Sequence, residues 1–150
     1  MESLAIIEAV ASHAMASGWF DRVNQYEPKS APGNGLVASV WVASVGPQVG
    51  ASGLNRTSVR FTVNVRVYTS MLADPPDMID PNIMEAVDAL LAAYTGDFTL
   101  DGLVRNIDLL GMGGPPLGAE AGYVEIEKRL FRIMTITVPM ILNDQWIQEP

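Results

Sequence analysis

A chain of 150 residues, 49% hydrophobic and 17% charged, has the length of one domain and enough apolar surface for a core, which excludes intrinsic disorder. Its net charge of −8, with Lys29 and Lys128 as the only lysines and the arginines dispersed, excludes the clustered cations that grip phosphates, and the absence of cysteine removes disulfides, thiolate zinc sites and cysteine nucleophiles. No apolar run reaches the roughly 18 to 20 residues of a membrane span, and Met1 to Gly18 carries Glu2 and Glu8 in place of a basic leader, so the expectation is a soluble protein that is not secreted and has no membrane partner.

Leu4, Ile7, Ala11 and Ala14 recur at helical spacing between a capping Ser3 and a stopping Gly18, which predicts an amphipathic helix over residues 3 to 17. Trp19 to Asn34, polar and broken by Pro28, Pro32 and Gly33, reads as a mobile loop. Residues 36 to 45, LVASVWVASV, hold valine on both phases and predict a strand covered on both faces. Beyond the Gly/Pro/Ser-rich VGPQVGASGLN, Val59, Phe61, Val63, Val65 and Val67 share one phase and Arg60, Thr62, Asn64 and Arg66 the other. That alternation demands a half-buried strand with Val63 in the core. The two strands should pair antiparallel, and the tip between them, Gly46 to Gly53, buries little and is expected to serve contacts between molecules.

A second helix is marked by Asp80 as cap, Pro81 as first helical residue and Gly96 as a left-handed stop. Ile83, Val87, Leu90 and Tyr94 form its buried stripe. A short strand is expected around Leu103 to Leu110. GMGGPPLGAEAG, read as a flexible connector, leads into an extended run from Tyr123 to Ile141, where Val124, Ile126, Leu130, Met134, Ile136, Val138 and Met140 share a phase interrupted by Lys128 and Arg132. Unbroken, the run would span about 60 Å. It must bend, bulge, split into a hairpin or project from its domain. The order α, β, β, α, β, β predicts one α+β domain over residues 1 to 150, a mainly antiparallel sheet with two helices packed on it, long strands and mobile loops.

Chemistry-bearing patterns are sparse. His13 is the sole histidine and reads as a surface or helix-packing residue, since a triad would have to be assembled around it from distant partners. Asp74, Asp77 and Asp80 offer hard oxygen ligands at spacing three, but lack the glycine and distal glutamate of a calcium hand; a solvated turn entering a helix competes with a metal site. GMGGPPLG lacks the Lys-Ser/Thr pair of a phosphate loop, and GASG does not match a nucleophile elbow. No catalytic residue, metal site or cofactor is therefore assigned. Arg60, Arg66, Glu125, Glu127 and Arg129 occupy polar phases of strong strands, either facing solvent or pairing charges across a subunit interface.

The segments SVRFTVNVRVYTS, ADPPDMID, PNIMEAVDALLAAY, GDFTLDGLVRNIDLLG and GYVEIEKRLFRIMTITVPMIL, within residues 36 to 142, resemble in order and character the tail-terminator (tail-completion) proteins of long-tailed phages. The resemblance implies a non-enzymatic virion protein at the neck end of the tail, assembled in the host cytoplasm. It implies a ring homo-oligomer, a homohexamer, that stops polymerisation of the tail tube and offers the head-tail joining surface. The implied partners are further copies of the chain, the major tail (tube) protein, a head-completion or connector protein and the tape-measure protein, with DNA passing through the bore without sequence-specific binding. A head-closure or other minor neck protein has the same outline. The competing classes are a small carboxylate-dependent hydrolase using Asp74, Asp77 or Asp80, and a monomeric binding module using an exposed sheet face.

Overall fold

The structure, a computed structural model, describes residues 1–32, 35–49, 52, 53, 55–71 and 76–148. Its first element is helix α1, Ser3–Ser17, which ends as expected on a left-handed Gly18 with φ of 76°. The buried stripe differs from the expected one. Ile6, Val10, Ala11 and Ala14 face inward and Leu4 is 66% exposed, because α1 docks beside a second helix as well as on the sheet. Ser3 does not cap it: Glu2 holds the cap position with no side-chain bond.

The segment read as a loop contains a strand, β1 (Arg22–Asn24), paired parallel to Val37–Ser39 of β2 (Leu36–Pro47). Three residues are too few to show a period, so this pairing is invisible to hydrophobic patterning. β2 pairs antiparallel with β3 (Arg56–Ser70), as the alternation requires, with a bulge between Val42 and Ser44. Val59, Phe61, Val63, Val65 and Val67 are all buried. β2 is covered on both faces only from Val37 to Val40, and Val42 to Val45 are exposed.

A short 3-10 turn, Pro76–Met78, feeds helix α2, Ile79–Gly96. The helix starts before the expected cap, because buried Ile79 adds apolar contact at its first position. Asp80 and Pro81 thus lie inside the first turn, where backbone N–H groups lack intrahelical partners and a proline costs no bond. Ile83, Val87, Leu90 and Tyr94 are buried as the stripe predicts. Gly96 does not take the left-handed stop; the Asp97 N–H closes onto the Ala93 carbonyl at 3.0 Å, and Leu100, Asp101 and Gly102 make the left-handed turn instead.

The expected strand at 103 to 110 shrinks to β4, Asn106–Ile107. Of the alternatives for the long terminal run, the hairpin is realised, with β5 (Gly118–Ile126) and β6 (Arg129–Ile147) joined by Glu127 and Lys128 at φ of 51° and 64°. Both residues are left-handed, as a tight two-residue hairpin turn needs. Lys128 accordingly sits in the turn and interrupts no face. The sheet runs β1-β2-β3-β6-β4, with β5 also on β6. Pro139 falls between the stretches of β6 that β5 and β4 occupy, opposite neither, so its missing N–H breaks no ladder.

Both helices pack on one sheet face, where Ile136, Val138, Met140 and Leu142 join the β3 valines in the main core. β6 also buries Phe131 and Ile133 on the opposite face, in a small cluster with Tyr68. An α+β fold results, two helices on a mainly antiparallel sheet.

Candidate assembly surface

The sheet face away from the helices carries the polar phase of β3, and there the structure places a partly buried charge pair that residue spacing does not reveal. Arg60 donates from Nη1 to Asp108 Oδ2 at 2.8 Å, with side chains only 13% and 3% exposed. The same carboxylate accepts the backbone N–H groups of Met112 at 2.9 Å and Gly113 at 3.1 Å. Burial pushes the Asp108 carboxyl up, but the Arg60 guanidinium and the two amides outweigh it and hold the group below the usual carboxylate range. Arg60 also donates to the Pro115 carbonyl and, at 3.3 Å, to Gln48 Oε1, while Gln48 Nε2 donates to the Gly113 carbonyl.

GMGGPPLG is therefore clamped onto the sheet, contrary to the flexible connector expected. Its glycines permit the approach: a Cβ on Gly113 would lie 2.2 Å from Gln48 Nε2, and one on Gly114 2.8 Å from Arg60 Cζ. The strand tip at 46 to 53 is likewise more than a contact loop. Gln48 is buried, its N–H donates to the Ser58 carbonyl at 2.8 Å, and Ser52 Oγ donates to the Gln48 carbonyl at 2.7 Å; Gly50 and Ala51 lie outside the described residues. Asp108 had one sequence signal, a lone acid in the apolar run NIDLLG just before glycines, as in Asx-type turns. Gln48 had none.

The five charges proposed for an interface do not converge. Arg60 serves the clamp at one end of β3. Arg66 lies further along the same face, with Nε donating to Thr135 Oγ1 at 2.9 Å and its guanidinium 5.3 Å from the Trp41 ring centroid. Burial raises the neighbouring Tyr68 hydroxyl, and Arg66 partly opposes that shift. Glu125, Glu127 and Arg129 group at the β5–β6 turn, where both glutamates are exposed and Arg129 stacks 5.2 Å from the Phe131 ring.

His13 joins the two helices. Its Nε2 lies 2.8 Å from Asp97 Oδ2, and its ring meets Tyr94 edge-on at 5.5 Å. Hydrogen bonds from His13 and from the Asp101 amide lower the Asp97 carboxyl, and burial raises the Tyr94 hydroxyl, which donates to the Val10 carbonyl. The helix-packing reading of His13 accounts for all its contacts. Asp80 pairs with Arg132 at 3.0 Å, and Arg132 stacks over Tyr123 at 4.6 Å; Asp77 is exposed and Asp74 lies outside the described residues. Among the described residues no group of three or more His, Cys, Asp or Glu is placed to hold a metal. No described helix is long and apolar enough to cross a membrane.

Apolar side chains are exposed along the sheet: Val42 and Val45 on β2, Trp146 and Ile147 at the end of β6, with Val49 just past β2 at 84% exposure. Beside them Ser44, Val45, Pro47, Arg60, Pro115 and Pro139 line a groove of about 310 Å³. Charge is split by layer. α1 and α2 contain no lysine or arginine and expose Glu8, Asp80, Glu85 and Asp88, so every lysine and arginine lies on strands or loops.

No family model and no curated protein matches this chain. Among solved structures it is similar to the sheath/tube terminator of an extracellular contractile injection system, PVC, in the extended state, with 12% identity and a TM-score of 0.41 over 100% of this chain and 60% of that one. The chain thus spans less than two thirds of that protein's length.

Proposed function

We propose that this chain is a non-enzymatic virion protein of the tail-terminator type, one that closes into a ring on the end of a tail tube, stops its growth and presents a surface to the head connector. The observation that carries this reading is the sheet itself. β2, β3 and β6 run for 12, 15 and 19 residues, and they leave Val42 and Val45 on β2 and Trp146 and Ile147 at the end of β6 in water. Apolar surface of that kind is the mark of an interaction site. The resemblance of residues 36 to 142 to tail terminators names the partners: further copies of the chain, the tube protein, the head-completion protein and the tape-measure protein.

The charged groups support binding over catalysis. Asp108 is consumed by Arg60 and two amides, His13 by Asp97, and Asp80 by Arg132. None faces a pocket with a free base and a nucleophile. Identical subunits joined head to tail form a closed ring when their rotation permits, and a ring stops a tubular polymer while leaving its bore open. The net charge of −8 keeps such a bore from holding phosphates. Electron microscopy of particles assembled without this chain tests the proposal: tails of irregular length, or tails not joined to heads, are expected. Normal-length tails joined to heads would overturn it.

A further inference from the structure

Two apolar surfaces stay uncovered on different sides of the domain. The first is a groove of about 490 Å³ at the β4 margin, lined among others by Phe98, Arg105, Ile107, Leu110 and Met112. Phe98 is 47%, Leu110 85% and Met112 90% exposed. Their backbone is nevertheless held in place: Asp108 accepts the Met112 and Gly113 amides, the Arg105 N–H donates to the Ile141 carbonyl, and the Ile107 N–H to the Phe98 carbonyl. Apolar side chains in water on a fixed backbone make a preorganised binding surface.

The second surface is the outer side of α1. Leu4, Glu8, Ser12, Met15 and Ala16 are exposed and follow one another at helical spacing, so they form one stripe. Leu4 is 66% and Met15 54% exposed. A helix with apolar residues on its outer side as well as its inner one is normally covered. α1 packs on β1 and β2, whereas the groove lies at β4, the other end of the order β1-β2-β3-β6-β4.

We propose that these surfaces are the two halves of one head-to-tail joint, the α1 stripe of one copy seated in the β4 groove of the next. The inference rests on the ring reading above and names the surfaces that would close it. Charge complementarity selects a second copy as the occupant. The stripe carries a single charge, the Glu8 carboxylate, and neither helix has a lysine or arginine to balance it. In the groove Asp108 is already taken by Arg60, which leaves exposed Arg105, whose guanidinium donates to Asn143 Oδ1 at 3.3 Å. Neither Glu8 nor Arg105 has an ion-pair partner among the described residues. Each surface therefore sets one unmatched charge among apolar side chains, of opposite sign to the other, and such a pair fixes the register of a joint. Two different patches that fit each other make a heterologous contact, which repeats from copy to copy and closes into a ring when the rotation permits.

Charge reversal in the full chain tests the joint, with self-association read by mass and folding by thermal melt. Glu8→Arg and Arg105→Glu, both at exposed positions, are each expected to melt with the parent and weaken self-association about tenfold or more. The chain carrying both changes is expected to regain most of that loss, because each reversed charge then meets its opposite on the neighbouring copy. Leu4→Ser with Leu110→Ser, which removes apolar contact from both halves without touching charge, is expected to weaken self-association as well. Weakening by each reversal with no recovery in the double variant overturns the pairing of these two surfaces. Self-association that none of the changes affects also overturns it and leaves the ring reading standing. A parent that stays monomeric at high concentration and does not bind tube ends overturns both.

Discussion

The Arg60–Asp108 pair ties β3 to the Gly/Pro-rich segment, with Asp108 buried and Arg60 half-buried. Asp108→Asn leaves the guanidinium without its anion and is expected to cost about 2 to 4 kcal/mol by urea unfolding at pH 7. The carboxyl is depressed in the folded state. Its contribution is thus fully present above the unfolded value, about 3.9, and is lost as pH falls through the lower folded one. The gap between parent and Asp108→Asn should therefore be constant near neutrality and close below about pH 4; a gap that widens on acidification contradicts the assignment. Val63→Asp, which sets a carboxylate among core valines, is expected to cost on the order of 3 kcal/mol or more, and an unchanged thermal melt would exclude its core position. Val63 was legible because alternation over nine residues fixes a face. Arg60 looked like a surface residue because its partners lie 12 to 55 positions away in sequence, beyond any local pattern.

Among the elements, the β5–β6 turn shows how a local rule hides a real hairpin. Two-residue turns favour Asn-Gly or Asp-Gly because both positions are left-handed, and here Glu127 and Lys128 fill them, so nothing in the sequence divided the run from 123 to 141. Glu127→Asn with Lys128→Gly should relieve the backbone cost and stabilise by about 1 kcal/mol. A fall in the melting temperature would show that these side chains contribute more than their conformation costs. The second helix was legible in its stripe and not at its ends, because burial of Ile79 overrode the Asp-Pro start signal. The tip at 46 to 53 changes in the same way: a deletion that removes Gln48 should destabilise the protein through the Arg60 clamp, as urea unfolding can measure, and one that leaves stability unchanged would remove Gln48 from that clamp.

For the whole molecule, element order made the α+β class legible, and composition set the acidic balance. What stayed hidden is where the sheet leaves itself open, because that depends on which strands pair and for how long: β1 covers three residues of β2, β4 two of β6, and β5 only one side of β6. The proposed role rests on the apolar side chains that the long strands leave exposed. The most direct measurement is imaging and mass analysis of purified protein mixed with tail tubes. A closed ring at one tube end, its mass a fixed multiple of the 16.2 kDa chain and tube growth halted where it sits, is the predicted result. Protein that remains monomeric while tubes lengthen with bare ends would contradict it.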